Sequence, residues 1–325
     1  MGYGNYSYTA HQALTADRAA LSRGEVFAQR GCHALMDPKG LLVRESRDSA
    51  EHPNSLGIAF ALDVTGSMGN IPELLAREEL PTFMKLLTDC RIADPQVLFM
   101  AIGDATSDGA PLQVGQFETT AELIDQWLTW SYLEGGGGGS GCESYELAFY
   151  VLAQHTDLDC WVKRNKRGYL FMTGDELPYP AISRHQIEAL IGERLDEDLS
   201  LEEVVVAAAE TYHLFFLIPD PQRRQRCEAR WREVLGDHVI GMESPADTCA
   251  VAAAIVGLTE ARLANLDDVA DVLLANGKPR ERVAATIRAL ESYAELLDPN
   301  APRRIHTHAA SVASGQPGWW KRLFS

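Results

Sequence analysis

The sequence LGIAFALDV, residues 56–64, runs directly into TGSMG, residues 65–69, and this stretch decides how the chain folds. The first part is almost entirely apolar but far shorter than the roughly 18 residues that a membrane-spanning helix needs. A short apolar run of this kind is typical of a strand that is buried on both faces of a parallel sheet. We therefore expect the first strand of the sheet to end here, with TGSMG forming the turn that follows it.

The same pattern recurs further along the chain. Segments with helical spacing alternate with apolar segments at 97–105, 168–176, 213–220 and 238–242. Strands that alternate with helices predict the α/β class, with a mostly parallel central sheet covered by helices on both faces. The segment 112–118 follows its strand after a turn too short for a crossover, so we expect one antiparallel edge strand there. Ligands of such sheets bind at the carboxyl ends of the strands.

The segment after the first strand has the spacing of an amphipathic helix. Its apolar face is formed by Leu74, Leu75, Phe83, Met84 and Leu87. Pro72 suits the first turn of this helix. Pro81 lies inside it, where proline removes a backbone hydrogen bond, and we expect a kink there.

The chain ends in regions that differ from the sheet domain. Two amphipathic segments, 266–275 and 280–297, are separated by Asn-Gly-Lys-Pro, which predicts a C-terminal helical hairpin. The tip of the tail carries Trp319 and Trp320, which could dock to a partner, touch a membrane surface or pack back onto the core. We expect four parts: an N-terminal arm at 1–55 draped on the core, the sheet domain at 56–263, the hairpin at 264–298 and a flexible tail at 299–325.

Composition excludes several classes of function. The 29 basic and 46 acidic residues give a net charge of −17, which repels phosphate backbones and predicts no binding to nucleic acid. No apolar run is long enough to cross a bilayer, and the first residues lack the features of a signal peptide, so we expect no transmembrane segment and a cytoplasmic protein. The 6 cysteines form no zinc-ligand spacing, and we expect buried thiols.

The turn after the first strand carries oxygen ligands at alternate positions. These are the carboxylate of Asp63 and the hydroxyls of Thr65 and Ser67, and Gly66 and Gly69 let the backbone turn tightly around them. Such groups can converge on one hard cation such as Mg²⁺, which prefers oxygen ligands and keeps several waters. The simpler interpretation is a capped helix start, since Asp and Ser are preferred there.

This turn resembles the first motif of the von Willebrand factor A (VWA) family. The metal-ion-dependent adhesion site (MIDAS) of that family begins with Asp-x-Ser-x-Ser directly after an apolar strand, and this chain has Thr65 at the first serine position. The resemblance covers residues 56–263, about two thirds of the chain, and it implies a Rossmann-like VWA fold. It also implies that Asp63, Thr65 and Ser67 are metal ligands.

The second family motif should fall in the glycine-rich segment 135–146. Some VWA proteins have Gly-Gly-Gly-Asp-x-x-Glu there, and matching that glutamate to Glu143 puts Ser140 at the position of the aspartate. This departure leaves three candidate ligands in the second loop, which are Ser140, Ser144 and a water. The segment lacks the Gly-Lys-Ser/Thr ending of a P-loop, so we expect no nucleotide.

The third family motif is usually Thr-Asp-Gly, whereas this chain has Thr173-Gly174-Asp175-Glu176. The carboxylate is displaced by one residue. We expect Asp175 to be the ligand, with Glu176 as its substitute. Asp104 ends the second strand at the same edge of the sheet, either at the rim of the site or in a structural turn.

The resemblance implies a protein–protein interaction module rather than an enzyme. Its cofactor would be Mg²⁺, or Mn²⁺ or Ca²⁺, with an incomplete ligand shell that an Asp or Glu of the protein partner completes. Bacterial intracellular VWA proteins commonly work with MoxR-type AAA+ ATPases or in stress and defence systems, which makes an AAA+ ATPase a candidate partner. The residues themselves do not select one partner.

Two other functions stay open. An aspartate after an apolar strand loosely resembles Mg²⁺-dependent phosphatases, but Thr65 stands where those hydrolases have a second aspartate, so the general acid is missing. The departures at Ser140 and Asp175 are compatible with a metal-free structural scaffold.

Overall fold

The computed structural model describes residues 4–66, 68, 70–135 and 139–298. Its strands are β1 (Arg44–Ser46), β2 (Leu56–Asp63), β3 (Pro95–Ile102), β4 (Leu112–Val114), β5 (Cys142–Glu143), β6 (Thr156–Leu158), β7 (Gly168–Thr173), β8 (Leu177–Pro178), β9 (Ala181–Ile182), β10 (Leu199–Ser200), β11 (Tyr212–Ile218) and β12 (Val239–Gly241). Its helices are α1 (Tyr8–Arg18), α2 (Arg23–Val26), α3 (Asn70–Leu74), α4 (Leu80–Asp89), α5 (Ala121–Thr129), α6 (Glu146–Gln154), α7 (Asp159–Arg164), α8 (Arg184–Leu190), α9 (Leu201–Thr211), α10 (Pro221–Leu235), α11 (Thr248–Thr259), α12 (Leu266–Ala275) and α13 (Arg280–Leu297).

Six of the strands form the central sheet in the order β12-β11-β7-β2-β3-β4. All neighbours are parallel except β4, which runs antiparallel to β3 at the edge. This is the Rossmann-like arrangement that the resemblance to VWA domains implies, and the predicted α/β class and antiparallel edge strand are confirmed. Strand β3 lies on one side of β2, and β7, which comes later in the chain, lies on the other side. The strand order therefore reverses at β2.

Strand β2 lies at the centre of the core, as its apolar sequence predicts. All eight of its residues are buried. The ring of Phe60 packs against Phe99 of β3 and Phe171 of β7, with centroid distances of 5.7 and 5.5 Å. It also meets Phe83 of α4 edge-on at 5.1 Å. These contacts fix the register of the strands whose ends form the candidate site.

Helices cover both faces of the sheet. Neighbouring residues of a strand point to opposite faces, and on β11 Phe215 packs against Tyr293 of α13 whereas Phe216 stacks on Trp231 of α10 at 3.8 Å. Helices α4, α11 and α13 therefore lie on one face, and α6, α9 and α10 lie on the other. The sheet core is closed to water on both sides.

The helix after the first turn is interrupted rather than only kinked. Between α3 and α4 the segment Leu75–Glu79 forms a π-helical turn, directly before Pro81. Proline has no N–H to donate, and its ring crowds the preceding helical turn. A wider π-helical turn relieves both problems, which is the physical reason for the interruption near Pro81.

The predicted hairpin is present as α12 and α13, and polar contacts fix it to the sheet domain. Lys278, in the turn between the helices, donates to both carboxylate oxygens of Glu79 at 3.0 and 2.8 Å. Arg282 forms an ion pair with Asp247 at 2.8 Å. The hairpin is therefore part of the same folded body as the sheet.

Residues 4–55 contain more regular structure than their sequence indicates. Helix α1 begins at an N-cap hydrogen bond to Ser7 and packs on α4 and α5, where Arg18 forms an ion pair with Asp125. Strand β1 pairs in parallel with β6. Helix α1 is largely polar, so the contacts that hold it come from distant parts of the chain and leave no periodic signal in its own sequence.

The structure gives further outcomes for the sequence predictions. All 6 cysteines are free, and Cys90, Cys160, Cys227 and Cys249 are buried. None of the described helices is long and apolar enough to cross a membrane. The tail 299–325, including Trp319 and Trp320, lies outside the described residues.

Candidate metal-binding site

The first loop holds the carboxylate of Asp63 at the end of β2. Asp63 is completely buried, and its Oδ1 accepts hydrogen bonds from the backbone N–H of Thr65 at 3.0 Å and from the Thr65 hydroxyl at 2.6 Å. Thr65 is also buried. Ser67 and Gly69 lie outside the described residues. The structure thus brings together two of the three ligands predicted in this loop.

A tyrosine that no sequence pattern indicates completes the hydrogen bonding of Asp63. The hydroxyl of Tyr145, just before α6, donates to Asp63 Oδ2 at 2.6 Å. Burial, together with the charge of Asp175, raises the pKa of Asp63 to about 6, against the hydrogen bonds from Thr65 and Tyr145. Asp63 and Asp175 are therefore close enough to interact electrostatically.

The third loop holds Asp175, also completely buried, just after β7. The guanidinium of Arg223, from the first turn of α10, forms an ion pair with Asp175. The Thr173 hydroxyl is buried and has no hydrogen-bond partner within the described part of the chain. Glu176, the predicted substitute ligand, is partly exposed and lies 3.8 Å from Arg226. Of the two acidic residues, Asp175 lies deeper, and its charge raises the pKa of Asp63.

The unusual order of the third motif has a steric cause. A Cβ atom at Gly174 would overlap the phenol ring of Tyr145, which passes over this residue to reach Asp63. Only glycine fits at such a close approach. The carboxylate of this motif consequently falls at Asp175 instead of position 174.

The two serines of the second loop make their hydrogen bonds to groups other than Asp63. The Ser140 hydroxyl lies 2.9 Å from the carbonyl of Cys142 and 3.4 Å from Asp104 Oδ2. Ser144 is completely buried, and its hydroxyl accepts from the backbone N–H of Ala105 at 2.9 Å. Both hydroxyls therefore make hydrogen bonds at the end of β3 or within their own loop.

The end of β3 repeats the hydrogen-bond pattern of the first loop. Asp104 accepts from the backbone N–H and the hydroxyl of Thr106 at 2.8 and 2.7 Å, and from the hydroxyl of Tyr179 at 3.0 Å. Burial raises the pKa of Asp104, but the hydrogen bonds from Thr106 and Tyr179 outweigh it and the pKa is lowered. Asp104 thus closes a structural turn, one of the two roles considered for it from the sequence, and it also lies beside Ser140.

Two further buried carboxyl groups lie in or directly after the second loop, and neither is among the ligands predicted from the sequence. Glu143 is 4% exposed and Glu146 is 1% exposed, and one oxygen of each has no hydrogen-bond partner among the described residues. Burial and the surrounding acidic side chains raise the pKa of Glu143 to about 9. Burial raises the pKa of Glu146 to about 8. The one sequence signal for Glu143 is that it matches the glutamate of the second family motif.

The donor set suits a hard divalent cation, because it consists of carboxylate and hydroxyl oxygens. Within the described ranges, no group of three or more His, Cys, Asp or Glu side chains could hold a metal ion. Hydroxyls and waters would have to contribute, as the first motif implies. The guanidinium of Arg223 forms an ion pair with Asp175 and would compete with a metal for that carboxylate.

Comparisons with known proteins give only distant likenesses. No protein-family model matches the chain, and no curated protein matches it. The pilus adhesin SpaC from Lactobacillus rhamnosus GG is 10% identical over 72% of this chain and 31% of that chain, with a TM-score of 0.43. Proximal thread matrix protein 1 from the mussel byssus is 12% identical over 69% of this chain and 47% of that chain, with a TM-score of 0.40. A von Willebrand factor type A structure from Catenulispora acidiphila is 10% identical over 63% of this chain and 42% of that chain, with a TM-score of 0.36. The chain spans less than half the length of each, and likeness at this level does not assign a function.

Proposed function

We propose that this chain is a VWA-type protein-interaction module that uses a divalent cation at the carboxyl end of its sheet to hold an acidic side chain of a partner. The observation that carries the proposal is the position of Asp63 and Asp175. They follow β2 and β7, the adjacent strands at which the strand order reverses. Open α/β sheets bind their ligands in the crevice at such a reversal.

The residues of the site would contribute two kinds of ligand. Asp63 and Asp175 supply negative charge, and Thr65 and Ser67 supply neutral hydroxyl oxygens. Mg²⁺, Mn²⁺ or Ca²⁺ bound by this few protein ligands would still accept a carboxylate from a partner. Asp63 itself is held in place by the hydrogen bonds from Thr65 and Tyr145, so its orientation does not depend on the ion.

The charge of the chain supports a requirement for metal. With a net charge of −17 and several buried carboxylates beneath the site, the sheet edge repels an approaching Asp or Glu when no ion is present. A bound cation reverses the sign of the local charge at the point where the carboxylate of the partner would bind. The partner should therefore bind in Mg²⁺ and dissociate in EDTA.

We take the module to be non-catalytic, because Thr65 stands where the related hydrolases have their second aspartate. The resemblance makes a MoxR-type AAA+ ATPase, or a protein of a stress or defence system, the first partner to test.

The direct experiment is a calorimetric titration of the chain with MgCl₂, MnCl₂ and CaCl₂, comparing wild type with Asp63→Asn and Asp104→Asn. Both aspartates close an Asp-x-Thr turn at a strand end, but it is the pKa of Asp63 that the charge of Asp175 raises. We expect Asp63→Asn to abolish binding and Asp104→Asn to retain it. If wild type binds none of the three ions, the proposed function is wrong.

A metal-free interaction module is the second candidate, and one observation favours it. Arg223 already neutralises Asp175, and both oxygens of Asp63 already accept hydrogen bonds, so neither carboxylate requires an ion to be stable. Under this alternative the same titration gives no heat of binding, and a partner captured in Mg²⁺ stays bound in EDTA.

A further inference from the structure

The first two turns of α10 carry three arginines, Arg223, Arg224 and Arg226. The helix begins after β11 and packs against β11 and β12, so these turns lie at the carboxyl end of the sheet. The chain as a whole has a net charge of −17. Helix α10 therefore places a local concentration of positive charge at the edge where sheets of this kind bind their ligands.

Arg224 differs from the other arginines of this helix in how its charge is met. Arg223 forms an ion pair with Asp175, and Arg230 forms one with Glu202. Arg224 makes no ion pair with any residue that the structure describes, and its Nε is buried without a hydrogen-bond partner there. A guanidinium remains charged throughout the pH range in which proteins fold. The arrangement therefore leaves a half-buried positive charge for an anion from outside the described structure.

The guanidinium of Arg224 lies on the backbone of Gly241, the last residue of β12. A Cβ atom at position 241 would overlap Nε, Nη2 and Cζ of the arginine, so only glycine leaves room for this group. Nε is the one nitrogen of Arg224 that is buried without a partner, and the two terminal nitrogens are not. The end of the guanidinium is thus held in position before any partner arrives, which lowers the entropic cost of binding.

We propose that Arg224 binds a carboxylate in an acidic segment of a protein partner. This goes beyond the proposed function, because the contact does not use the cation. Arginine recognises carboxylates through paired, charge-assisted hydrogen bonds. A nucleic acid is the less suitable anion, since its affinity depends on neutralising several phosphates and a net charge of −17 opposes that.

The spacing in the sheet indicates how Arg224 and the candidate metal site could serve one partner. Asp175 follows β7 and Gly241 ends β12, and β11 is the only strand between them in the sheet. Neighbouring strands are about 4.8 Å apart, so the two positions are separated by roughly 10 Å. An extended segment covers that distance in about three residues. Two acidic residues at this spacing could reach the cation and Arg224 together.

The test measures binding of fluorescein-labelled hexaglutamate by fluorescence anisotropy. The full chain is used in EDTA at about 20 mM NaCl, where exposed charges are weakly screened. Arg224→Gln removes the guanidinium, and Gly241→Ala displaces it without changing the net charge. Arg230→Gln is the matched control, because it makes the same change in charge on the same helix but at an arginine already paired with Glu202. Urea unfolding of each variant checks the fold.

We expect Arg224→Gln and Gly241→Ala each to weaken hexaglutamate binding by about tenfold or more. Arg230→Gln should stay within about twofold of wild type. No binding to wild type, or equal losses in Arg224→Gln and Arg230→Gln, would overturn the assignment of Arg224. Tighter binding of labelled hexathymidylate than of hexaglutamate would overturn the choice of an acidic protein segment.

The two proposals can fail separately. Because EDTA removes divalent ions, the result for Arg224 does not depend on whether the chain binds a metal. Titration of Arg224→Gln with MgCl₂ should give the wild-type affinity, since the cation is assigned to other residues. If wild type binds no metal but loses hexaglutamate on Arg224→Gln, the proposed metal dependence is wrong and the role of Arg224 stands.

Discussion

The guanidinium of Arg223 lies against the buried carboxylate of Asp175, so a side chain of the protein occupies the place beside the third loop where a metal would bind. Arg223 is itself partly exposed and sits at the start of α10, which gives it room to swing towards solvent. A cation held by Asp175, as we propose, would compete with Arg223 for this carboxylate.

Removing this internal competitor should increase affinity for metal. We expect Arg223→Gln to bind Mg²⁺ about tenfold or more tightly than wild type, since the metal no longer displaces a cation from Asp175. Without metal the variant should be less stable by about 3 kcal/mol, because a buried carboxylate loses its partner. Calorimetry and urea unfolding in EDTA measure the two effects. Arg226→Gln is the control, as Arg226 lies 3.8 Å from the partly exposed Glu176 and should change neither quantity.

Unchanged Mg²⁺ affinity in Arg223→Gln would mean that Asp175 is not a metal ligand, and its ion pair with Arg223 would then be purely structural.

Tyr145→Phe should destabilise the fold by about 1–2 kcal/mol, the cost of a lost hydrogen bond to a buried charged group. The phenol ring packs against Phe216 and Trp231 and its space is kept by phenylalanine, so the change isolates the hydroxyl. Tyr150→Phe is the comparison, because its hydroxyl donates to Glu193, whose side chain is largely exposed. Urea unfolding should show the larger loss for Tyr145→Phe. Equal losses would show that Asp63 gains nothing special from the tyrosine.

Lys278 should contribute much more to stability than Lys85, although each makes one ion pair. Lys278→Ala leaves Glu79 without its partner in a position that is only 7% exposed, and we expect a loss of about 3 kcal/mol. The pair of Lys85 with Asp89 is on the surface, and Lys85→Ala should cost about 0.5 kcal/mol or less. Thermal unfolding of both variants distinguishes these values. A small loss in Lys278→Ala would mean that the ion pair with Glu79 contributes little to holding the hairpin.

His213 should make the fold sensitive to acid. Burial lowers its pKa from the usual 6.5 to about 4, and the charges of Arg167 and His238 act in the same direction. The unfolded chain therefore binds a proton at a higher pH than the folded chain. This contribution to stability is complete above about pH 6.5 and is lost as the pH falls towards 4, by up to about 3 kcal/mol.

The measurement is urea unfolding at pH 7.5 and pH 5 for wild type, His213→Gln and His185→Gln, in which His185 is an exposed control. The difference in unfolding free energy between the two pH values should be smaller in His213→Gln than in the other two proteins. An unchanged pH dependence would assign the acid sensitivity to other groups.

The elements that the sequence predicts correctly are those whose signal is local. The apolar run at 56–64, the antiparallel edge strand and the helical hairpin all follow from patterns within a few turns of chain, and the structure contains each of them. The position of Asp63 at the end of a buried central strand follows from the same run.

The groups that complete the site are joined by long-range contacts, and local patterns carry no information about those. Tyr145 and Asp63 are separated by 82 positions, and Arg223 and Asp175 by 48. The sequence identifies Glu143 only as the match to the glutamate of the second family motif. Its burial depends on strands that are distant in sequence and could not be predicted.

The crowding of Gly174 by Tyr145 ties together two positions 29 apart in the chain, since the phenol can reach Asp63 only where residue 174 has no side chain. The common Thr-Asp-Gly order would need an aspartate at position 174, and its side chain would collide with the ring of Tyr145. The tyrosine would have to be replaced first, at the expense of the hydrogen bond that orients Asp63. The order Gly174-Asp175 in the third loop therefore depends on Tyr145 of the second loop. We expect positions 145 and 174 to change together or not at all.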